Sequence, residues 1–153
     1  MENLTSALRE AAEQTFDTLC FMLPEETDER LAEELEAAAW VQFTGPVNGH
    51  LALWLHGSLQ ATLVGNMLGT EEALPAEDLD DGLKEIVNVI CGNVLTAILG
   101  TDAVFDMTPP EMIDPTSGSM PQTGSQQARV KIRYPDGWAE VAFYTLAPAM
   151  ESC

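Results

Sequence analysis

Apolar residues recur along this chain with two different periods, and the switches between them set out its elements. Between residues 5 and 23, Leu8, Ala12, Phe16, Leu19 and Leu23 follow one another at intervals of three or four. That spacing predicts an amphipathic helix, with Thr5 or Ser6 as cap and Pro24 as stop. Residues 25–36 are acidic and suit either a loop or a short helix. Residues 38–44 and 49–55 have strand-like content on either side of Gly45-Pro46-Val47-Asn48-Gly49, a tight link between antiparallel strands. A second helix opens at Ser58, repeats Leu59, Leu63 and Met67 every four residues, and ends at Gly69. A third follows Pro75, with its core from about 79 to 99 and Gly100 as the stop. Past Met107-Thr108-Pro109-Pro110, residues 114–128 are rich in Ser, Gly, Pro and Gln and read as a loop. Residues 129–134 and 138–146 alternate around Pro135-Asp136-Gly137, a second hairpin.

The resulting order is helix, hairpin, helix, long helix, hairpin. Segregated strands and helices of this kind predict an α+β fold, an antiparallel sheet built from hairpins with the long helices packed on it. Each half contains a helix followed by a hairpin, which leaves room for a loose duplication. At 153 residues and 46% hydrophobic content the chain buries an ordinary core without staples. One domain spanning residues 1–153 is the expectation.

The third helix carries the chemistry. At about 100° per residue, Asp81, Glu85, Asn88 and Gly92 share a stripe roughly 60° wide, while Leu83, Ile86, Val87, Ile90, Val94 and Ile98 spread over the opposite side. Glu and Asn three residues apart also occur on helix faces that are merely solvated. A carboxylate beside a carboxamide can nonetheless grip a partner's cation and orient a water, and Gly92 one turn on leaves room for close approach.

Charge narrows the partners. With 25 acidic and 6 basic residues the formal net charge is −19, a field that repels phosphate backbones and anionic lipid. Nucleic acid and membrane surfaces are therefore not expected. No uninterrupted apolar run approaches the roughly 18 residues of a membrane span, and the acidic start lacks a signal peptide's basic flank, so a cytoplasmic protein is expected. Cys20, Cys91 and Cys153 are odd in number, widely spaced and without a CxxC. They suggest neither disulfide framework nor zinc site, and Cys20 and Cys91 read as small core residues. His50 and His56 have no ligand cluster near them, and no phosphate-cradling or nucleophile motif is present, so neither a metal nor a cofactor of its own is expected.

Three segments together carry a family resemblance: Asp81-x-x-x-Glu85-x-x-Asn88 with Gly92, Phe43-Thr44-Gly45-Pro46-Val47-Asn48-Gly49, and Gly65-Asn66-Met67-Leu68-Gly69. In these and in the order of its elements the chain resembles the CheC/CheX/FliY chemotaxis phosphatases over nearly its whole length. It is more similar to the CheX branch, because it has one ExxN: in the first helix Glu10 and Glu13 are followed at three residues by Glu13 and Phe16. The resemblance implies a phosphatase for the phosphoaspartate of a CheY-type response regulator. Asn88 would hold the attacking water in line, Glu85 would pair with the regulator's active-site lysine, and Mg²⁺ would belong to the regulator. Asp81 is either a partner contact or a carboxylate favouring the helix dipole. Asn93 departs from the family pattern, as does the acidic surface. The family also implies a homodimer formed through sheet edges. The alternative is a non-catalytic module that binds a regulator or scaffolds an assembly.

Overall fold

The computed structural model describes residues 4–25, 34–114 and 124–146. Its helices are α1 (Leu4–Cys20), α2 (Leu59–Leu68) and α3 (Ala76–Leu99). Its strands are β1 (Leu35–Thr44), β2 (Gly49–Gly57), β3 (Asp106–Met107), β4 (Glu111–Ile113), β5 (Ser125–Tyr134) and β6 (Gly137–Thr145). All pairings are antiparallel in the order β3-β1-β2-β6-β5, with β4 also on β1. The α+β architecture expected from the two periodicities is the one that forms.

Strand alternation assigns the two sheet faces. Leu51, Leu53 and Leu55 of β2 and Val141 and Phe143 of β6 join Leu8, Phe16, Ile86, Ile90 and Val94 in the core between sheet and helices. The intervening residues Trp40, Ala52, Trp54, Ala142 and Tyr144 cluster on the other face. Both Cys20 and Cys91 are buried free thiols, and burial pushes each up to about 12, so both behave as small core residues.

Several boundaries differ from expectation, each for a local reason. Helix α1 stops at Cys20, short of the predicted 23, because Phe21 turns left-handed at φ 55°. Phe21 N–H then donates to Asp17 O and Met22 N–H to Phe16 O, closing the last turn. The chain is drawn off towards β5, where Glu25 N–H donates to Arg133 O at 2.8 Å. Thr5 and Ser6 lie inside α1 and are not its caps. Of the acidic segment 25–36, residues 35 and 36 open β1, and residues 26–33 lie outside the described part. Likewise β5 begins at Ser125, inside the stretch read as a loop; 115–123 lie outside the described residues.

Ser58 precedes α2 but its hydroxyl makes no capping bond. The cap comes from β1: Glu36 Oε1 accepts the N–H groups of Leu59 (2.9 Å) and Gln60 (3.0 Å). A carboxylate there meets two orphan donors and the positive end of the helix dipole at once. At the other end, left-handed Gly69 (φ 69°) lets Thr70 N–H reach Gly65 O, while Asn66 Nδ2 donates 2.9 Å to Cys20 O at the end of α1. The Gly65–Gly69 motif therefore finishes two helices.

Helix α3 contains an 18-residue stretch of mean hydropathy 1.4, long and apolar enough by composition to cross a bilayer. Lys84, Glu85 and Asn88 interrupt that stretch, which is why no uninterrupted run marks it in the sequence. Its apolar face is spent on the core, with Leu83, Ile86, Val87, Ile90 and Val94 fully buried.

Candidate functional site

The α3 stripe is aimed outward by what holds the helix from behind. Near its start, Gly82 lies so close to α2 that a Cβ there would sit 2.5 Å from Val64 Cγ1. Gln60 Nε2 ties the same end by donating to Leu79 O (3.0 Å) and Asp80 Oδ1 (3.4 Å). Further along, Asn93 Nδ2 donates 3.2 Å to Thr15 Oγ1 of α1. The departure at Asn93 is thus a link between two helices. With these contacts fixing the rotation of α3, Asp81 and Glu85 are exposed and Asn88 is half-buried. Among the described residues neither Glu85 nor Asn88 has a hydrogen-bond or ion-pair partner, so both side chains are available to a visitor.

The helix begins at Ala76, three residues before the predicted core, which changes the reading of Asp81. Glu77 and Asp78 occupy the first turn, where a carboxylate serves the dipole, and Asp81 sits in the next turn, on the groove.

A wall faces the stripe. Asp81, Lys84, Glu85 and Asn88 form one side of a groove of about 460 Å³, and Met107, Thr108, Pro109 and Pro110 form the other. Strands of two and three residues anchor that wall: β3 pairs Met107 with Phe43, and β4 pairs Glu111 with Trp40. Between them Thr108 N–H donates 2.9 Å to Gln42 O, and Gln42 N–H donates 3.2 Å to Thr108 Oγ1. Gly45 makes the close approach possible, because a Cβ there would lie 3.0 Å from both Phe105 Cβ and Val104 O. The Phe43–Gly49 motif therefore supports the wall. Gly92 lies one turn beyond the groove; a Cβ added to it would meet only the Met107 methyl, at 4.0 Å. Nothing internal requires glycine there.

The groove thus brings together Asp81, Glu85 and Asn88, with Gly92 beside it. Sequence reasoning passed over Lys84 and the Met107–Pro110 wall. Elements as short as β3 and β4 show no periodicity, but the adjacent prolines were a signal of rigid backbone. Elsewhere, His50 is fully buried, its ring tilted against Trp40, and neither ring nitrogen has a hydrogen-bond partner. Desolvation lowers its pKa and keeps it neutral. His56 stacks flat on Trp138 and lies 3.7 Å from Glu140. Among the described residues no cluster of three or more His, Cys, Asp or Glu could hold a metal ion.

Comparison with known proteins gives a family and a fold. Residues 37–133, well over half the chain, match the family described as chemotaxis phosphatase CheX. No curated protein sequence matches. The chemotaxis protein CheX from Desulfovibrio desulfuricans superposes with a TM-score of 0.71 at 18% identity, covering 94% of this chain and 99% of its own. CheX from Vibrio vulnificus gives 0.70 at 17% identity, with 93% and 95% covered. A CheX–CheY–BeF3–Mg²⁺ complex from Borrelia burgdorferi gives 0.66 at 21% identity, with 93% and 97% covered. At such identities the structural likeness speaks to the fold.

Proposed function

The chain belongs to the CheX family of chemotaxis phosphatases, and from that premise we propose that it stimulates hydrolysis of the phosphoaspartate of a CheY-type response regulator. The observation that carries this reading is the Glu85 and Asn88 pair, unpartnered among the described residues, on a helix face opposite the Met107–Pro110 wall. Phosphoryl transfer to water needs positioning and charge compensation more than a covalent nucleophile, the part that a glutamine plays in Ras-type GTPases. Asn88 supplies the positioning: its carboxamide holds a water in line with the acyl phosphate. Glu85 supplies the anchor, a charge-assisted bond to the regulator's active-site lysine. Asp81 contacts the partner at the rim, and Gly92 lets its backbone come close. The phosphoryl group and its Mg²⁺ belong to the regulator; the neighbour from Borrelia burgdorferi was captured with CheY, BeF3 and Mg²⁺.

In this reading residues 1–153 act as one cytoplasmic domain and form a homodimer. The β5 edge limits how a second copy can add: Arg9 Nη1 already bonds Lys131 O, and Glu25 N–H bonds Arg133 O. The remaining edge, from Ser125 to Arg129, is short, and among the described residues no strand pairs with it. Light scattering at high micromolar concentration should give twice 16.6 kDa, and a persistent monomer would remove the dimer.

The deciding experiment follows the lifetime of a regulator phosphorylated by a small phosphodonor. Substoichiometric protein should shorten it with multiple turnovers. Binding without acceleration would instead establish the alternative, a non-catalytic docking or scaffolding module.

A further inference from the structure

Lys84 is a cation in strongly acidic surroundings. On α3 it follows Asp80 and Asp81 and precedes Glu85, and Asp80, four residues before it, is in the favourable register for an ion pair. No such pair forms. Asp80 Oδ1 is instead turned to Gln60 Nε2, and among the described residues Lys84 has no ion-pair partner. Its half-buried side chain lines the groove facing Thr108, Pro109 and Pro110. On the helix it stands about 40° from Asn88, one turn earlier, on the side of Asn88 away from Glu85.

Resting on the phosphatase reading above, we propose that Lys84 is a further partner-contacting residue, which receives the phosphoryl oxygens of the incoming regulator and makes docking selective for its phosphorylated form. The electrostatics favour such a group. A chain of net charge −19 approaching a phosphoryl dianion is repelled at long range, and Lys84, beside Asp81 and Glu85 in the groove lining, offsets part of that field where the phosphoryl arrives. Glu85 and Lys84 then form a polarised pair: the acid meets the regulator's lysine, and the ammonium meets the phosphoryl group that this lysine leaves partly uncompensated. Spread over three equatorial oxygens, the phosphoryl charge changes little on the way to a loose transition state. Lys84 therefore acts on binding more than on the chemical step.

The test compares wild type, Lys84→Gln and Lys84→Arg for binding to a CheY-type regulator with and without beryllofluoride, and for turnover of the phosphorylated form. Lys84→Gln should lower affinity for the beryllofluoride form about tenfold, leave the unloaded form unchanged, and raise KM about tenfold with kcat within about twofold. Lys84→Arg should restore both. The gap between wild type and Lys84→Gln should also shrink at 1 M salt, where the screening length is about 3 Å. An equal loss for both regulator forms would make Lys84 a general rim charge and overturn the proposal, as would no loss at all. If wild type binds selectively through Lys84 without accelerating hydrolysis, the phosphatase reading fails and this inference stands. If wild type does not bind the loaded form, both fall.

Discussion

Helices α1 and α3 pack together on the same sheet face, and both turn carboxylates outward, yet only α3 faces a wall. On α1 the outward residues are Glu10, Glu13, Gln14 and Asp17, around a hollow of about 380 Å³ closed at one end by Leu23 and Pro24. Glu13 is engaged there with Arg9 at 3.7 Å. No acid on α1 is followed three residues later by an amide, and the side chain three after Glu13 is Phe16, which is fully buried. On α3 the acid and the amide are adjacent, unpartnered among the described residues, and opposite Met107–Pro110. A polar helix face becomes a candidate site when a second element confronts it and its groups are not already satisfied.

The sharpest way to break the comparison is to remove the amide. Asn88→Ala should slow catalysed dephosphorylation about a hundredfold, the usual scale for one lost positioned polar group, while Gln14→Ala on α1 leaves the rate as it was. Phosphate release at saturating regulator reads both variants, and an unaltered circular dichroism melt shows that the fold survives.

Next comes the acid. Glu85→Gln should cost about 1.5–3 kcal/mol in affinity and turnover combined, with a weaker salt dependence, whereas Glu13→Gln changes neither. Titration against a beryllofluoride-loaded regulator measures the difference, and equal affinities for wild type and Glu85→Gln would take the lysine anchor away.

Two glycines of α3 separate support from contact. Gly82→Ala drives a methyl into Val64 and should lower stability by about 1–3 kcal/mol in urea unfolding, an overpacking cost. Gly92→Ala has room for the methyl, so helix propensity should raise stability by about 0.5–1 kcal/mol while regulator binding weakens. A Gly92→Ala protein that binds normally would show that the close approach is not used.

The smallest effect lies away from both helices. Burial lowers the pKa of His50, so the folded state holds this ring neutral while the unfolded chain protonates it near its ordinary value of about 6.5. Its contribution is therefore fully present above that pH and is lost as pH falls through and below it. Urea unfolding at pH 7.5 and 5.5 should show a pH-dependent loss that is smaller in His50→Gln.

Much of this was legible in the chain. Spacings of three and four placed α1, α2 and α3, and the Glu85/Asn88 stripe followed from the same periodicity that buried Ile86 and Ile90. Gly69 and Gly100 marked helix ends because the turn beyond each takes a positive φ, 69° and 93°. Ser58 misled, because a good capping residue stood where a better acceptor, Glu36, arrived from another element.

What the sequence determined by itself is what nearest neighbours along the chain can encode: helix faces, hairpin turns, and which side of α3 is polar. What only the tertiary structure decided is what lies opposite that side. The wall at Met107–Pro110 exists because β3, β4 and Thr108 find β1 about 65 residues away in the chain, contacts too short to announce themselves locally and stable only once the sheet edge is formed. The same holds for Lys84: among the described residues it has no ion-pair partner, and Asp80, one turn before it, is bonded by Gln60 of another helix. Periodicity fixes a side chain's direction, but its availability depends on which distant groups have already satisfied its neighbours.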